Sequence, residues 1–398
     1  MPATRPRVDH SGLIAFAQEL VRIRSVNDST TGTTEAEASM FVADKMRSFG
    51  WDPMVEEIEP GRFNVVAILD GGLPGKTLMF EGHADVVTEG DRDEWSFDPY
   101  GGDIVEGRLL GRGSADMKSG VAAMLFAARA IVDAGPFPGR IVVGVLCDEE
   151  GLMIGAKAFA ASDLAGDVDG AFICEPEAGE VCTTQKGALR LRIEATGKMA
   201  HGAMPHQGLN PIVALGHLQA GLSVFESQLQ ATHGEHPHLG LPYVTPTVFQ
   251  AGSVVQMNVI PREALMTLDI RTLPGIDHGQ IREDITGLAA SVMGDTGVRF
   301  TVETIDDRPP TSTSEDHAVV QSIVAAHEEV LGETPPFGGV PGTTDGTILW
   351  RDAGIPVVVY GPGGKWIAHQ ADEFVEVEDM TRHADVYVAA ALNFLGSN

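Results

Sequence analysis

Four apolar runs of strand length in this chain each lead to an acid or a histidine, three of them at once and the last through a glycine-rich loop, and that recurring ending narrows the available folds more than any other feature. Thr77-Leu78-Met79-Phe80 is followed by Glu81-Gly82-His83-Ala84-Asp85-Val86-Val87. Ile141 to Cys147 is the most strand-like run, and it ends in Asp148-Glu149-Glu150-Gly151. Ala171-Phe172-Ile173-Cys174 ends in Glu175-Pro176. Ile355 to Tyr360 passes through Gly361-Pro362-Gly363-Gly364 to His369, with Asp372 and Glu373 behind it. Continuous apolar runs bounded by turn residues suit strands buried on both faces. Such strands build open α/β sheets, which collect ligand-binding groups at their carboxyl ends.

The identity of those groups decides the chemistry. Imidazole and carboxylate are what hard or borderline divalent cations bind. Three adjacent acids, Asp148, Glu149 and Glu150, repel one another unless cations are present. His83 and Asp85 share a face of an extended chain. With His83 on a metal, Asp85 accepts the other imidazole N–H and fixes its tautomer and orientation. Asp116 arrives by another route: Gly111 to Gly120 is a glycine-punctuated turn opening onto Val121, Met124, Leu125, Ala128, Ile131 and Val132, which follow helical spacing until Gly135-Pro136 stops the helix. An aspartate held rigidly there has two oxygens with which to bridge two metals. The set reads as a two-metal hydrolase. Taken singly, its members have plainer explanations: a solvated turn at 148–150, a hydrogen-bonded core histidine at 83, a helix-start residue at Asp116, a turn acid at Glu175, an incidental histidine at 369. Their recurrence together favours the metal reading.

These motifs resemble, over nearly the whole chain and in the same order, the dinuclear zinc metallopeptidase family of glutamate carboxypeptidase, acetylornithine deacetylase, succinyl-diaminopimelate desuccinylase and the aminoacylases. The resemblance extends to Gly197-Lys198-Met199-Ala200-His201-Gly202, to Asn258-Val259-Ile260-Pro261 and to Asp269-Ile270-Arg271. It implies that His83 and Glu175 hold one metal, Glu150 and His369 the other, and that Asp116 bridges them. Glu149 is then the general base, taking a proton from the metal-bridging water and passing it to the departing nitrogen. The metals implied are two divalent ions per subunit, zinc first, with manganese or cobalt fitting the same donors. One departure is Thr88, where the family often has proline after Asp85-Val86-Val87; it touches loop geometry and no ligand.

The middle of the chain is of another kind. In Lys186 to Gly197, Leu189, Leu191 and Ile193 alternate with Arg190, Arg192 and Glu194, so one face is apolar and the other solvated. A histidine-containing turn, a helix from about Asn210 to Gln228 and alternating stretches at 247–255 and 264–270 follow. This α+β segment resembles the family's inserted lid and dimerisation domain. The expected organisation is a mixed, mostly parallel α/β catalytic sheet flanked by helices, built from 1–185 and 307–398, with the insert at 186–306. The resemblance further implies a homodimer through that insert, or a higher oligomer, in which His201 reaches the partner's site to stabilise an oxyanion. Asn258 and Arg271 are then substrate-carboxylate contacts. Gly342-Thr343-Thr344, a tight turn after Pro341, offers backbone N–H groups for the same purpose. Plainer readings stand beside these: His201 as a surface turn residue, Arg271 paired with Asp269, and 342–344 as an ordinary helix-starting turn. His233, His236 and His238 read as surface histidines, since no carboxylate framework accompanies them. Gly and Pro near Gly187 and Pro309-Pro310 suit hinges for lid closure.

Composition closes off other classes. A net charge of −29 excludes a phosphate-backbone partner and an anionic membrane surface. No apolar stretch approaches the roughly 20 residues of a spanning helix, and the polar Met1 to His10 lacks the apolar core of a leader. Cys147, Cys174 and Cys182 lie in or near buried runs, which predicts free thiols and a reducing cytoplasm. No repeats or low-complexity tracts are present. The reaction expected is hydrolysis of the C–N amide bond of an N-acyl amino acid or dipeptide bearing a free carboxylate. Two rivals remain open on the sequence: an aminohydrolase displacing amine or ammonia from a non-peptide carbon, such as that of an amino-substituted aromatic acid, and a catalytically silent metal-bound binding protein. Retention of Glu149 counts against the second.

Overall fold

The computed structural model describes residues 5–396, so the first four residues of the polar Met1 to His10 stretch lie outside the described residues. The chain divides into two compact units, one made of residues through Thr183 with 312–340 and 344–398, the other of 184–311 with 341–343.

The first passage of the larger unit contains helices α1 (His10–Arg22) and α2 (Ala36–Ser48), then strands β1 (Met54–Glu59), β2 (Arg62–Asp70) and β3 (Gly72–His83). Two short strands follow, β4 (Ile104–Val105) and β5 (Arg108–Leu110), and then α3 (Ser119–Asp133), β6 (Phe137–Leu146), α4 (Ile154–Ala160), β7 (Gly170–Ile173) and β8 (Val181–Gln185). Helix α3 is buried almost all round, from Ser119 to Ile131, which is why its sequence is alanine-rich and apolar rather than amphipathic. Its glycine has a specific cause: a Cβ on Gly120 would sit 2.0 Å from the carbonyl oxygen of Cys174, so the helix meets the end of β7 backbone to backbone.

The smaller unit is α+β. Its strands β9 (Gly187–Thr196), β10 (Ala200–His201), β11 (Tyr243–Ala251), β12 (Val259–Ile260), β13 (Glu263–Thr272) and β14 (Arg299–Arg308) accompany helices α5 (Pro211–His233) and α6 (His278–Thr296). Four strands form an antiparallel sheet in the order β11-β13-β9-β14. Leu189, Leu191 and Ile193 of β9 turn inward onto Leu215, Leu218 and Leu222 of α5 and Ile281 and Ile285 of α6, while Arg192 and Glu194 stay exposed. Asn210 caps α5 by accepting from Ile212 N at 3.0 Å, and Pro211 occupies the first turn, where no donor is needed. The helix runs past the expected Gln228 to His233 because Leu229 prolongs its buried stripe; Gly234, at φ +69°, ends it. His233 therefore belongs to the helix, not to the loop beyond. Strand β14 ends at Arg308.

On its return the chain forms β15 (Thr311–Ser312), α7 (Ala318–Leu331), β16 (Phe337–Val340), α8 (Gly346–Ala353), β17 (Val357–Val359), β18 (Phe374–Glu376) and α9 (Val377–Leu395). The large sheet has the order β1-β2-β6-β3-β7-β17-β8-β15, with β16 beside β8. Strands β6, β3, β7 and β17 run parallel, whereas β1 and β2 join antiparallel. Alternate residues feed opposite faces: Phe80, Val143 and Phe172 pack with α1, α3, α7 and α9, and Met79, Val142 and Ala171 pack with α4 and α8. Each such large side chain contributes about 1.5–3 kcal/mol by leaving water. This is the mixed, mostly parallel sheet flanked by helices that the apolar runs predict. Cys147, Cys174 and Cys182 are buried free thiols. Among the described residues no helix is long and apolar enough to cross a membrane.

Candidate metal centre

Parallel pairing puts the carboxyl ends of β3, β6, β7 and β17 on one edge of the sheet, and the residues leaving those ends converge. His83 is the last residue of β3 and is 1% exposed. Its Nε2 lies 3.2 Å from Glu175 Oε1, one residue beyond the Cys174 that follows β7, and 3.4 Å from Asp116 Oδ1. On the other side, His369 Nε2 lies 2.9 Å from Glu150 Oε1 and 3.3 Å from Asp116 Oδ2. The two oxygens of Asp116 thus face different groups, one with His83 and Glu175, the other with Glu150 and His369. Within each group the donor atoms lie within 4.8 Å of one another. Glu149 Oε2 is 3.9 Å from His83 Nε2, beside both groups.

Asp116 is held by a carboxylate from far along the chain. The backbone N–H groups of Ala115 and Asp116 donate to Glu373 Oε1 at 3.0 and 3.1 Å, and the other Glu373 oxygen pairs with the buried Arg112. His369 reaches the site from the loop after β17 with φ +65°, a left-handed conformation uncommon outside glycine. That loop passes so close to the end of β7 that a Cβ on Gly361 would lie 2.4 Å from the Cys174 carbonyl oxygen.

Asp85 does more than its spacing predicts. His83 Nδ1 lies 3.0 Å from the Asp85 carbonyl oxygen and 3.4 Å from its carboxylate. The backbone carbonyl is the nearer acceptor for orienting the imidazole, and the carboxylate instead accepts from the amides of Glu149 and Glu150 at 3.3 and 3.2 Å.

Burial and crowding set the charges. Burial pushes the Glu149 and Glu150 carboxyls up, with neighbouring acids adding to the effect, and raises Glu175 to about 8, the Asp116 charge reinforcing it. His369 rises to about 10 through hydrogen bonds to Asp116 and Glu150. Burial opposes charge on His83, yet the Glu175 carboxylate and the Asp116 and Asp85 contacts carry it well above the usual imidazole range. For Asp116, too, burial works against charge, but His369 and His83 hold it well below the carboxylate range. Two further buried acids, Glu81 and Asp345, face this cluster; burial pushes Glu81 far up, with Asp345 and Glu175 adding to it.

The donor set fits divalent cations. Two imidazoles and three carboxylates suit zinc and its neighbours. The buried Nε2 of His83 makes no well-aligned hydrogen bond among the described residues and is aimed at Glu175 and Asp116. An imidazole nitrogen shielded from water and facing carboxylates is what a metal ligand presents. A third acid–thiol group, Glu177, Glu180 and Cys182, already encloses a cation, since Lys365 Nζ lies 2.9 Å from Glu177 and 2.6 Å from Glu180.

Of the other expected site residues, His201, Asn258, Arg271, Gly342 and Thr343 belong to the smaller unit. In the smaller unit His201 is exposed, its Nδ1 accepting from Ala203 N at 3.0 Å, and β10 pairs it with Val259, next to the exposed Asn258. Arg271 is forked onto Asp269, at 2.6 and 3.2 Å, the pairing its spacing along one strand face also predicts. Thr343 Oγ1 accepts from Arg308 Nη1 at 3.3 Å. Thr344 lies just before α8, its hydroxyl accepting from Gly346 N at 3.2 Å, and Gly342 is half-buried before it. His236 and His238 lie in the turn after α5. Sequence reasoning missed Arg112 and Glu373, Glu35 and Asn27, and Glu81 and Asp345. Glu81 and Glu373 at least stand beside named motifs, whereas Glu35 carries no local signal.

Comparison with known proteins agrees with this geometry. Residues 79–393 match the family model described as peptidase family M20/M25/M40. A succinyl-diaminopimelate desuccinylase from Methylorubrum extorquens is 31% identical over 393 residues, covering 95% of this chain and 97% of the relative. Among solved structures, aminopeptidase PepT from Bacillus cereus superposes with a TM-score of 0.79 at 21% identity, over 97% of this chain and 99% of that one. A dinuclear metal-binding peptidase of the M20 family from Bacillus subtilis does so with a TM-score of 0.72 at 17% identity, over 98% and 99%. Strand-end acids and histidines in the right order, an aspartate facing both groups, and a match across most of the length lead to one conclusion: the chain belongs to peptidase family M20/M25/M40, the metal-dependent hydrolases of C–N bonds.

Proposed function

We propose that this protein hydrolyses the amide bond of a small carboxylate-bearing substrate, an N-acyl amino acid or a dipeptide. The observation that carries the reading is the division of the Asp116 oxygens between the His83–Glu175 and Glu150–His369 groups, with Glu149 alongside. In this reading the first group holds one cation, the second holds another, and Asp116 spans them; zinc fits, as do manganese and cobalt. Cations so held act as Lewis acids and bring the pKa of a bound water to about 7. Glu149 is the general base. Its carboxylate receives the proton released as water attacks the carbonyl and delivers it to the leaving nitrogen. Asp85 fixes the 149–150 backbone and the His83 ring. The desuccinylase relative cleaves an N-acyl amide by name and the aminopeptidase neighbour a peptide, which supports the bond type and leaves the acyl group open.

The smaller unit is read as the lid and dimerisation domain of a cytoplasmic homodimer. His201 is assigned to the oxyanion, and Asn258, Arg271 and the Gly342-Thr343-Thr344 turn to the substrate carboxylate. Arg271 must exchange Asp269 for that carboxylate, a swap between two equivalent bidentate partners.

The test is product identification by mass spectrometry after incubating metal-loaded protein with N-acyl amino acids, dipeptides and amino-substituted aromatic acids. Glu149→Gln serves as the blank. A free acid plus an amino acid, or two amino acids, from wild type alone is expected. Ammonia and a hydroxylated ring would move the protein to the aminohydrolases, and equal turnover by Glu149→Gln would remove the mechanism.

A further inference from the structure

The acidic tripeptide after β6 is gripped on its amide side by two other buried carboxylates. The N–H of Asp148 donates to Glu35 Oε1 at 3.0 Å, and the next two amides, of Glu149 and Glu150, donate to the two oxygens of Asp85 at 3.3 and 3.2 Å. Three consecutive N–H groups therefore point away from the metal centre into carboxylates, which leaves the side chains of Glu149 and Glu150 directed the other way. Asp85 belongs to the His83 motif. Glu35 comes from the start of α2, is 1% exposed, and has no other connection to the centre.

Glu35 is itself seated by Asn27. The Asn27 amide donates to Glu35 Oε1 at 2.9 Å, and its carbonyl accepts from Glu35 N at 3.1 Å. What the pair holds is an unusual backbone turn. Asp148 has φ +65°, which an aspartate tolerates only at a cost of order 1–3 kcal/mol unless its surroundings fix it. They do so from several sides: Leu152 N donates to Asp148 Oδ2 at 2.9 Å, Arg62 pairs with Oδ1 at 2.9 Å, and Met153 N donates to the Asp148 carbonyl at 2.7 Å. Gly151 leaves the necessary room, since a Cβ there would meet Asp148 Oδ1 at 2.3 Å. Those contacts secure the carboxylate and the carbonyl. The Asp148 amide, through which the chain enters the turn, is secured by Glu35.

We propose that Glu35, seated by Asn27, is a positioning residue for the hydrolytic reaction: through the Asp148 amide it holds the left-handed turn that aims Glu149. It touches neither substrate nor metal. The inference rests on Glu149 as general base. An acceptor oxygen at position 35 is what the geometry requires, so Glu35→Gln keeps the device and Glu35→Leu removes it.

The experiment compares kcat, KM, metal content by elemental mass spectrometry and thermal midpoint for wild type, Glu35→Gln, Glu35→Leu, Asn27→Ala and Glu149→Gln. Glu35→Gln should stay within about 3-fold of wild type, while Glu35→Leu loses about 10–100-fold in kcat at little-changed KM, the size expected when a catalytic group is displaced by an ångström or less. Metal content should match wild type in both. Asn27→Ala, which unseats the carboxylate without deleting it and also removes a 3.4 Å contact to Asp148 Oδ1, should lower kcat in the same sense, and a wild-type kcat in it would sink the proposal should Glu35→Leu not fold. Wild-type kcat in a folded Glu35→Leu or Asn27→Ala, equal damage in Glu35→Gln and Glu35→Leu, or a kcat loss that only tracks lost metal would overturn the proposal. An active Glu149→Gln would instead overturn the assignment of the base; an inactive Glu149→Gln beside a fully active Glu35→Leu would sink Glu35 alone.

Discussion

Glu373 shows how a single side chain organises the centre without being a ligand. It has no exposed surface, pairs with the buried Arg112 and accepts from the amides of Ala115 and Asp116. Removing it leaves a buried guanidinium uncompensated and two amides unpaired, a loss that typically costs about 3–5 kcal/mol. Glu373→Ala should therefore lower the unfolding free energy measured by urea titration by that order and weaken metal binding, with Glu373→Gln intermediate because it keeps an acceptor for the amides. Unchanged metal affinity in a folded Glu373→Ala would show that Asp116 is set by its own turn. Of the proposed ligands, His83, Glu150 and Glu175 were legible as candidates in the sequence because each is a polar residue placed where an apolar run stops. Their supports were not. Glu373 meets Asp116, and Glu35 meets Asp148, across more than a hundred residues of chain, and nothing local marks either partner.

At the scale of elements, the strands with the clearest apolar runs became the parallel core, since only a strand covered on both faces can afford to lack polar positions. What stayed hidden was how closely the elements approach. Gly120 reads as an ordinary glycine at a helix start, but α3 rests there on the Cys174 carbonyl, one residue before the proposed ligand Glu175. Backbone cannot yield as a side chain does. Gly120→Ala should cost at least the 1–3 kcal/mol typical of overpacking, and should lower metal occupancy by parting Glu175 from Asp116. Gly216, in the interior of α5 with nothing within 4 Å of an added Cβ, is the matched control. Gly216→Ala should instead stabilise by about 0.5–1 kcal/mol, because alanine loses less freedom in a helix. Chemical denaturation with metal analysis of both variants checks the pair, and similar shifts in the two would refute the close approach. The end of α5 was misjudged for a related reason: whether Leu229 continues the buried stripe depends on the sheet beneath it, which the local pattern does not contain.

For the whole molecule, the −29 charge is a background shared by every metal state, so comparing metal-loaded with chelated protein isolates the centre from it. Without cations, Glu175 titrates near 8 and His369 near 10, because burial raises the first and its carboxylate partners raise the second. Unfolded, these groups titrate near 4.3 and 6.5. Folded values above unfolded ones mean that the stability these groups confer is complete below the unfolded values and is lost as pH rises through the folded ones. Asp116 is lowered instead, so its contribution is constant above about 4. The chelated protein should therefore weaken as pH rises from 6 to 9, through Glu175 and then His369. Metal binding runs the other way, since cations compete with the protons on these same donors and win more readily as pH rises. With metal at 1,000 times its dissociation constant the stabilisation is about 4 kcal/mol. The gap in thermal midpoint between loaded and chelated protein should accordingly be wider at pH 9 than at pH 6, and loading at pH 7 should release protons. A gap that narrows with rising pH, or metal uptake without proton release, would mean that the cations bind somewhere other than between His83 and His369.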